Sequence, residues 1–280
     1  MGKTFHLSRR ISRKPIILSF ILPIIEECDK LTDLEIMDIS LNKYISDTGF
    51  CSRREADRYI DEMRVSINGK DAHKGNRVKE GDIVLVDGEP LKKKKSAVYI
   101  MLNKPKGVTC TTDTKDKTNI IDFINFKTRI FPIGRLDKLS EGLIFLTNDG
   151  DIVNKILRAG NGHEKEYIVT VDKNIDIDFV NNMRNGVRIM GTLTKKCFVK
   201  QEGDNRFRII LTQGLNRQIR RMCETLGYRV TSLKRIRIMN ITISGLNPGT
   251  WRYFNPSEIE SINLMLKDSS KTADNEGMGE

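Results

Sequence analysis

The sequence predicts an α+β protein in two parts: a small N-terminal module of helices and short strands, then a larger domain with a mixed, mainly antiparallel β-sheet flanked by helices. Three observations carry that expectation. Two short helical patterns within residues 40–90 precede apolar–polar alternations that break at Asn68-Gly69 and Asp87-Gly88, dipeptides suited to tight hairpins. The run Lys92-Lys93-Lys94-Lys95-Ser96 has no periodicity and reads as a charged linker over residues 92–97. From Val98 to Phe254, strand-length apolar runs recur with helical patterns at irregular spacing, which suits an α+β domain.

The 280 residues suffice for two separate cores, and 38% hydrophobic with 30% charged residues describes a soluble globular chain. The formal net charge is +11. Five of those charges (Lys3, Arg9, Arg10, Arg13 and Lys14) fall within residues 1–25, which hold no acid, so the rest carries a moderate basic bias of +6. That bias favours a polyanionic partner over a neutral metabolite. The apolar run Ile16 to Ile25 superficially resembles a secretory signal, but it contains Pro23, ends in Glu26-Glu27 and is too short to cross a bilayer. A transit segment is the other reading of this acid-free start. Residues 1–37 are best read as a disordered extension, and the protein as cytoplasmic with no membrane association. Five scattered cysteines without a C-x-x-C pair, and three dispersed histidines, outline neither a disulfide framework nor a metal site. Packing thiols are the plain reading.

Within the first module, Leu41-Asn42-Lys43-Tyr44-Ile45-Ser46 forms a short amphipathic helix ending near Gly49. Ser52 and Glu55 make a capping box for a second helix, which carries Arg53, Arg54 and Arg58 on or near one face. Val65 and Ile67 alternate with polar neighbours, and Ile83-Val84-Leu85-Val86 gives another strand. Together these residues resemble the S4 RNA-binding domain, here spanning 38–91. The resemblance implies that Lys43, Arg53, Arg54 and Arg58 contact RNA phosphates, giving affinity and orientation rather than sequence reading. A solvated basic face is the bland alternative.

In the larger domain, residues 98–258, strands are expected at 98–102, 143–147, 167–171, 207–211 and 239–243, and helices at 150–158, 177–184 and 215–226. Residues 259–280 form a C-terminal segment whose polar end reads as a disordered tail. The most informative stretch runs from Phe131 to Gly150: an apolar entry, Gly134-Arg135-Leu136-Asp137, Ser140-Glu141-Gly142, a strand, and an Asn148-Asp149-Gly150 turn. This pattern presents a loop at a strand edge, where working groups are usually found. An Asp in a turn is more often a turn former, so the case rests on the whole pattern.

That pattern resembles the catalytic motif of the pseudouridine synthases of the small-subunit ribosomal RNA synthase family. Glu164-Lys165-Glu166-Tyr167 matches the family's Lys-x-Tyr strand, and Asn216-Arg217-Gln218-Ile219-Arg220-Arg221-Met222 matches its arginine-rich helix. The similarity covers residues 40–254 in order. Gln213-Gly214-Leu215 and Arg235-Ile236-Arg237-Ile238-Met239-Asn240 favour the branch acting on 23S ribosomal RNA. Leu139 departs from the pattern, standing where an acidic residue is common.

The resemblance implies a cofactor-free isomerisation: the N1–C1′ bond of uridine breaks, the base turns, and C5 bonds to C1′. No redox change occurs, so neither metal nor cofactor is needed. Asp137 is then the catalytic carboxylate, as nucleophile or as stabiliser of a sugar cation. Arg220 is its guanidinium partner, and Tyr167 stacks on the uracil and takes part in proton transfer. Arg135 enters the helix in place of the flipped base, while Arg217 and Arg221 meet phosphate. Lys104-Pro105-Lys106-Gly107 is assigned to structure, as a turn after a buried strand. The expected partner is structured RNA: 23S first, then 16S RNA or a transfer RNA anticodon loop, with the protein a monomer. The alternatives are a non-catalytic S4-type RNA-binding protein and, more distantly, a glycosidase-type hydrolase. The glycosidase reading lacks a second well-placed carboxylate.

Overall fold

The computed structural model describes residues 38–92 and 96–269. The extension 1–37, the lysines 93–95 and the tail 270–280 lie outside the described residues, as do the expectations for the extension and the tail. The chain divides into two compact units, the first ending at Leu91 and the second running on from Lys92.

In the first unit, helix α1 (Leu41–Asp47) is followed by α2 (Arg53–Asp61). The capping box is present: Glu55 N donates to Ser52 Oγ at 3.2 Å, and Ser52 N donates to Glu55 Oε2 at 2.8 Å. Each satisfies a helix-end group that the helix itself leaves open. Strands β1 (Val65–Ile67) and β2 (Val84–Val86) pair antiparallel, and each is extended by a two-residue outer strand in a four-stranded sheet. Both hairpins turn on residues with positive φ, Asn68-Gly69 and Asp87-Gly88, whose left-handed backbone matches the strand twist. Leu41, Ile45, Ala56, Ile60, Val65 and Val84 close one core.

The second unit is built on a nine-stranded sheet. Its elements in chain order are β3 (Tyr99–Lys104), α3 (Ile120–Ile124), β4 (Phe131–Ile133), β5 (Glu141–Thr147), α4 (Gly150–Leu157) and β6 (Lys165–Val171). Then come α5 (Ile177–Asn185), β7 (Phe198–Gly203), β8 (Arg206–Leu211), α6 (Gln218–Thr225), β9 (Val230–Ile238), β10 (Trp251–Tyr253) and α7 (Pro256–Met265). The strand order is β7-β8-β6-β9-β5-β3-β10. Every pair along it is antiparallel except β9 with β5, where Lys234 faces Glu141 and Arg235 faces Gly142. The mixed, mainly antiparallel sheet of the sequence reading is thus present.

Strand β5 is the pivot. One edge pairs with β3 from Gly142 to Thr147, while the other is shared: β9 takes Glu141 and Gly142, and β4 takes Phe145 to Thr147. The 134–140 loop leaves β4 and re-enters β5 at this fork. Both β3 and β5 are buried on both faces, which is why their sequences are continuous apolar runs rather than alternations. Met101, Leu143 and Phe145 pack with α4 and α7 on one side, and Ile100, Leu102, Ile144 and Leu146 with α3 on the other. Helices α5 and α6 cover the β6–β9 half.

Two elements differ from the sequence expectation. The strand expected at 239–243 is confined to Ile241–Thr242, and the nine-residue strand at the sheet's centre is β9 instead. Helix α6 begins at Gln218, not 215, because Arg217 has φ of +50° and cannot continue a right-handed turn. Helix α7 crosses residue 258, with Ile262 and Leu266 buried in the core beside α4. Cys51, Cys110 and Cys223 are buried and Cys197 is partly covered. Burial pushes the Cys223 thiol up to about 12.

Candidate active site

The loop 134–140 is held at several points. Gly134 has φ of +77°, and a Cβ there would meet Leu157 Cδ2 at 2.9 Å, so the backbone lies close against α4. Leu136 is buried and its N–H donates to Cys110 Sγ at 3.4 Å. Ser140 N donates to Asp137 O at 2.9 Å, closing the turn around the carboxylate. From below, Gly107 N donates to Lys138 O at 2.8 Å. The fully buried Lys104 ammonium donates to Val108 O at 2.7 Å and Pro105 O at 2.9 Å. Burial pushes its pKa down. The Lys104–Gly107 turn, which the sequence assigned to structure, therefore sits directly under the Asp137 loop.

Arg220 reaches this loop from the first turn of α6. Its Nε lies 3.3 Å from Asp137 Oδ2, its Nη2 donates to Ser140 Oγ at 3.0 Å and its Nη1 to Val230 O at 3.3 Å. Arg220 is only 9% exposed, whereas the Asp137 side chain is 37% exposed. The guanidinium is thus fixed by three groups on two segments, the 134–140 loop and the start of β9, while the carboxylate stays partly open to solvent.

Around this pair opens a cleft of about 580 Å³. Tyr167 lines it from β6, half-buried and packed against the cores on both its sides. Arg135 and Arg217, both exposed, line it as well. Arg217 lies 3.9 Å from Glu224. Arg221 stands outside the lining and donates to Asn216 Oδ1 at 3.0 Å. The structure therefore brings Asp137, Tyr167, Arg220, Arg135 and Arg217 to one cleft. Leu139 is 69% exposed on the loop surface.

Lys43, Arg53, Arg54 and Arg58 belong to the first unit. The three arginines are exposed; Arg53 donates to Asn42 Oδ1 at 3.4 Å, and Arg58 lies 3.8 Å from Glu62. Lys43 is half-buried on α1. Two cleft residues had no role in the sequence reading although their motifs were noted: Lys165, which precedes Tyr167 by two positions, and Arg235, opposite Tyr167 on β9. Their shared face with Tyr167 is the signal that strand alternation alone carries.

Comparison with known proteins bears on what such a cleft does. Residues 98–225 match the family model described as RNA pseudouridylate synthase, and residues 40–84 match the S4 domain. The Dual-specificity RNA pseudouridine synthase RluF of Escherichia coli K12 is 56% identical over 234 residues, 83% of this chain and 81% of the relative. The chain belongs to the RNA pseudouridine synthase family. Within it, the S4 module places the chain in the type named for the small-subunit ribosomal RNA synthase. The RluF of Salmonella typhi is likewise 56% identical, over 83% of this chain and 81% of the relative. Ribosomal large subunit pseudouridine synthase B of Bacillus subtilis is 32% identical over 83% of this chain and 98% of that protein. A crystal structure of a pseudouridylate synthase superposes with a TM-score of 0.59 at 27% identity, covering 80% of this chain and 99% of that one. This pseudouridine synthase is an isomerase acting on RNA. No helix among the described residues is long and apolar enough to cross a membrane.

Proposed function

We propose that this pseudouridine synthase isomerises a uridine of 23S ribosomal RNA in the cytoplasm, with Asp137 as the catalytic carboxylate. The observation that carries the site assignment is the Asp137–Arg220 pair beside Tyr167 in one cleft. Asp137 attacks C1′ of the flipped nucleotide, or stabilises the cation there, as the N1–C1′ bond breaks. Arg220, tied to Ser140 and Val230, keeps the carboxylate aimed. Tyr167 offers a ring face for the uracil and a hydroxyl for proton transfer. Arg135 fills the space the base leaves, and Arg217 and Arg221 meet phosphates near the cleft, where sequence-independent contacts fix orientation. Lys43, Arg53, Arg54 and Arg58 add phosphate contacts from the S4 module.

The 23S target is supported by the branch motifs Gln213-Gly214-Leu215 and Arg235 to Asn240, and by the large-subunit name of the Bacillus relative. The dual-specificity name of the RluF relatives supports a second RNA as well. The test is to map pseudouridines in ribosomal and transfer RNA from cells lacking the gene, complemented with wild type or Asp137→Asn. One 23S pseudouridine should vanish and return only with wild type. An unchanged 23S pattern overturns the target, and restoration by Asp137→Asn overturns the role of the carboxylate.

A further inference from the structure

The floor of the cleft holds more positive charge than the Asp137 pair accounts for. Lys165 on β6 is 7% exposed and Arg235 on β9 is 5% exposed, and both line the cleft. Neither has an ion-pair partner among the described residues; each is held instead by a backbone carbonyl. Lys165 Nζ donates to His163 O at 2.8 Å, and Arg235 Nε donates to Leu143 O at 2.6 Å. Arg235 Nη2 is buried with no hydrogen-bond partner, and the Lys165 ammonium has protons left to donate. Burial of two like charges with unused donors is costly unless a group that is absent in the free protein completes them. Burial and the neighbouring Arg235 together push Lys165 down to about 8. Strand register puts Arg235 directly opposite Tyr167, with Lys165 two residues away on the same face.

We infer that Lys165 and Arg235 form an anion site for the detached uracil, donating hydrogen bonds to its O2 and O4 oxygens between bond breaking and bond remaking. The inference rests on the functional reading above and adds two catalytic residues to it. As the Asp137 carboxylate bonds to C1′, the N1–C1′ pair of electrons leaves with N1, and the negative charge spreads over O2 and O4. C5 of the turned base then attacks C1′ and displaces the carboxylate. C5 loses its proton and N1 gains one, so the composition is unchanged. Donors already fixed where this charge develops stabilise it without reorganising, and a buried floor strengthens them. The base is favoured over a phosphate as occupant because both cations share the face of Tyr167, whereas the exposed Arg135 and Arg217 suit the backbone.

The test uses the full-length enzyme and total RNA labelled with [5-³H]uridine from cells lacking the gene, with tritium release read under single-turnover conditions. Lys165→Met should slow release by about 100-fold, the scale of removing one fixed donor from a developing anion, with RNA affinity within about twofold of wild type. Lys165→Arg should recover most of the rate. Wild type should slow as the pH rises through about 8, where the ammonium deprotonates. Lys165→Arg should move that limb upward, since guanidinium stays charged. The charged and titratable groups around Lys165 are Arg235 from β9, His163 ahead of it on the chain, and Tyr167, Asp137 and Arg220 in the cleft. Should Lys165→Met fail to fold, the alkaline limb of Lys165→Arg decides. A folded Lys165→Met within about fivefold of wild type, a loss confined to RNA affinity, or an unmoved limb overturns the anion site alone. Wild type releasing no tritium overturns the functional reading and the anion site together.

Discussion

Arg220 makes three contacts with one side chain, and each does something different for Asp137. The Nε contact supplies opposite charge, while those to Ser140 Oγ and Val230 O stop the guanidinium from following the carboxylate if it moves. Arg220→Lys keeps the charge but offers no planar fork, so turnover should fall to about a tenth. Arg220→Met removes charge and fork together, and the loss should reach about 100-fold. Single-turnover rates at saturating RNA read both directly. Asp137→Asn should cost about 10³-fold or more with RNA affinity nearly unchanged, because it removes the group proposed to react and little of the surface. A parallel drop in affinity would count against the assigned role. At this scale the sequence was informative wherever a residue sits in a compact motif. The loop around Asp137 and the arginine-rich helix α6 each read as one pattern. Lys165 and Arg235 were not legible as site residues: nothing in a linear sequence says that a cation is buried, since these residue types are ordinarily exposed.

Strand β9 shows the same blindness at the scale of an element. Lys234, Arg235 and Arg237 interrupt what would otherwise alternate, so the central strand of the sheet hides behind its charges while a weaker run downstream takes its place. Those charges are satisfied only in three dimensions. On the face opposite Tyr167, Glu166 accepts from Arg237 Nε at 2.5 Å and from Arg208, and Arg208 also donates to Glu202 Oε1 at 2.6 Å. This ladder ties β6, β7, β8 and β9. Burial pushes the Glu166 carboxyl up, but the hydrogen bonds from Arg237 and Arg208 outweigh it, so its pKa lies below the ordinary 4.5. A depressed carboxyl stabilises the fold above its unfolded value and loses that contribution as the pH falls through the lower folded value. Acid unfolding should therefore begin below about pH 4.5. Glu166→Gln should cost about 2 kcal/mol at neutral pH and flatten this limb, as denaturant titrations at pH 3 to 7 would show. The fork at β5 is the other vulnerable element. Gly142 has φ of +112°, and an added Cβ would lie 2.2 Å from Arg235 O, so Gly142→Ala must separate β5 from β9. Melting should show a loss of about 3 kcal/mol or more, and turnover should fall with it because the loop enters β5 at that point.

For the whole molecule, charge distribution sets how the enzyme meets its substrate. The +11 net charge and the exposed Arg53, Arg54 and Arg58 favour association with any RNA before a particular uridine is chosen. Replacing those three arginines with Ala should weaken RNA binding, and the slope of log affinity against log salt should flatten by about 2 to 3. The rate at saturating RNA should stay near wild type, because the chemistry belongs to the second unit. A fall in that saturated rate would mean that the S4 helix does more than dock.

The parallel pairing of β9 with β5 also has a consequence in time. Lys234 and Arg235 meet Glu141 and Gly142 only after helices α4, α5 and α6 and strands β6, β7 and β8 have been laid down between them. Such a late, non-local pairing is slow to close. During translation the Asp137 loop leaves the ribosome well before Arg220 and well before β9, the strand that seals the fork. A nascent chain therefore exposes the Asp137 loop before its Arg220 partner exists, and the fork closes only once β9 has been made. For the ribosomal target proposed above, that order leaves the site incomplete while the chain is still being made by the machine it is to modify.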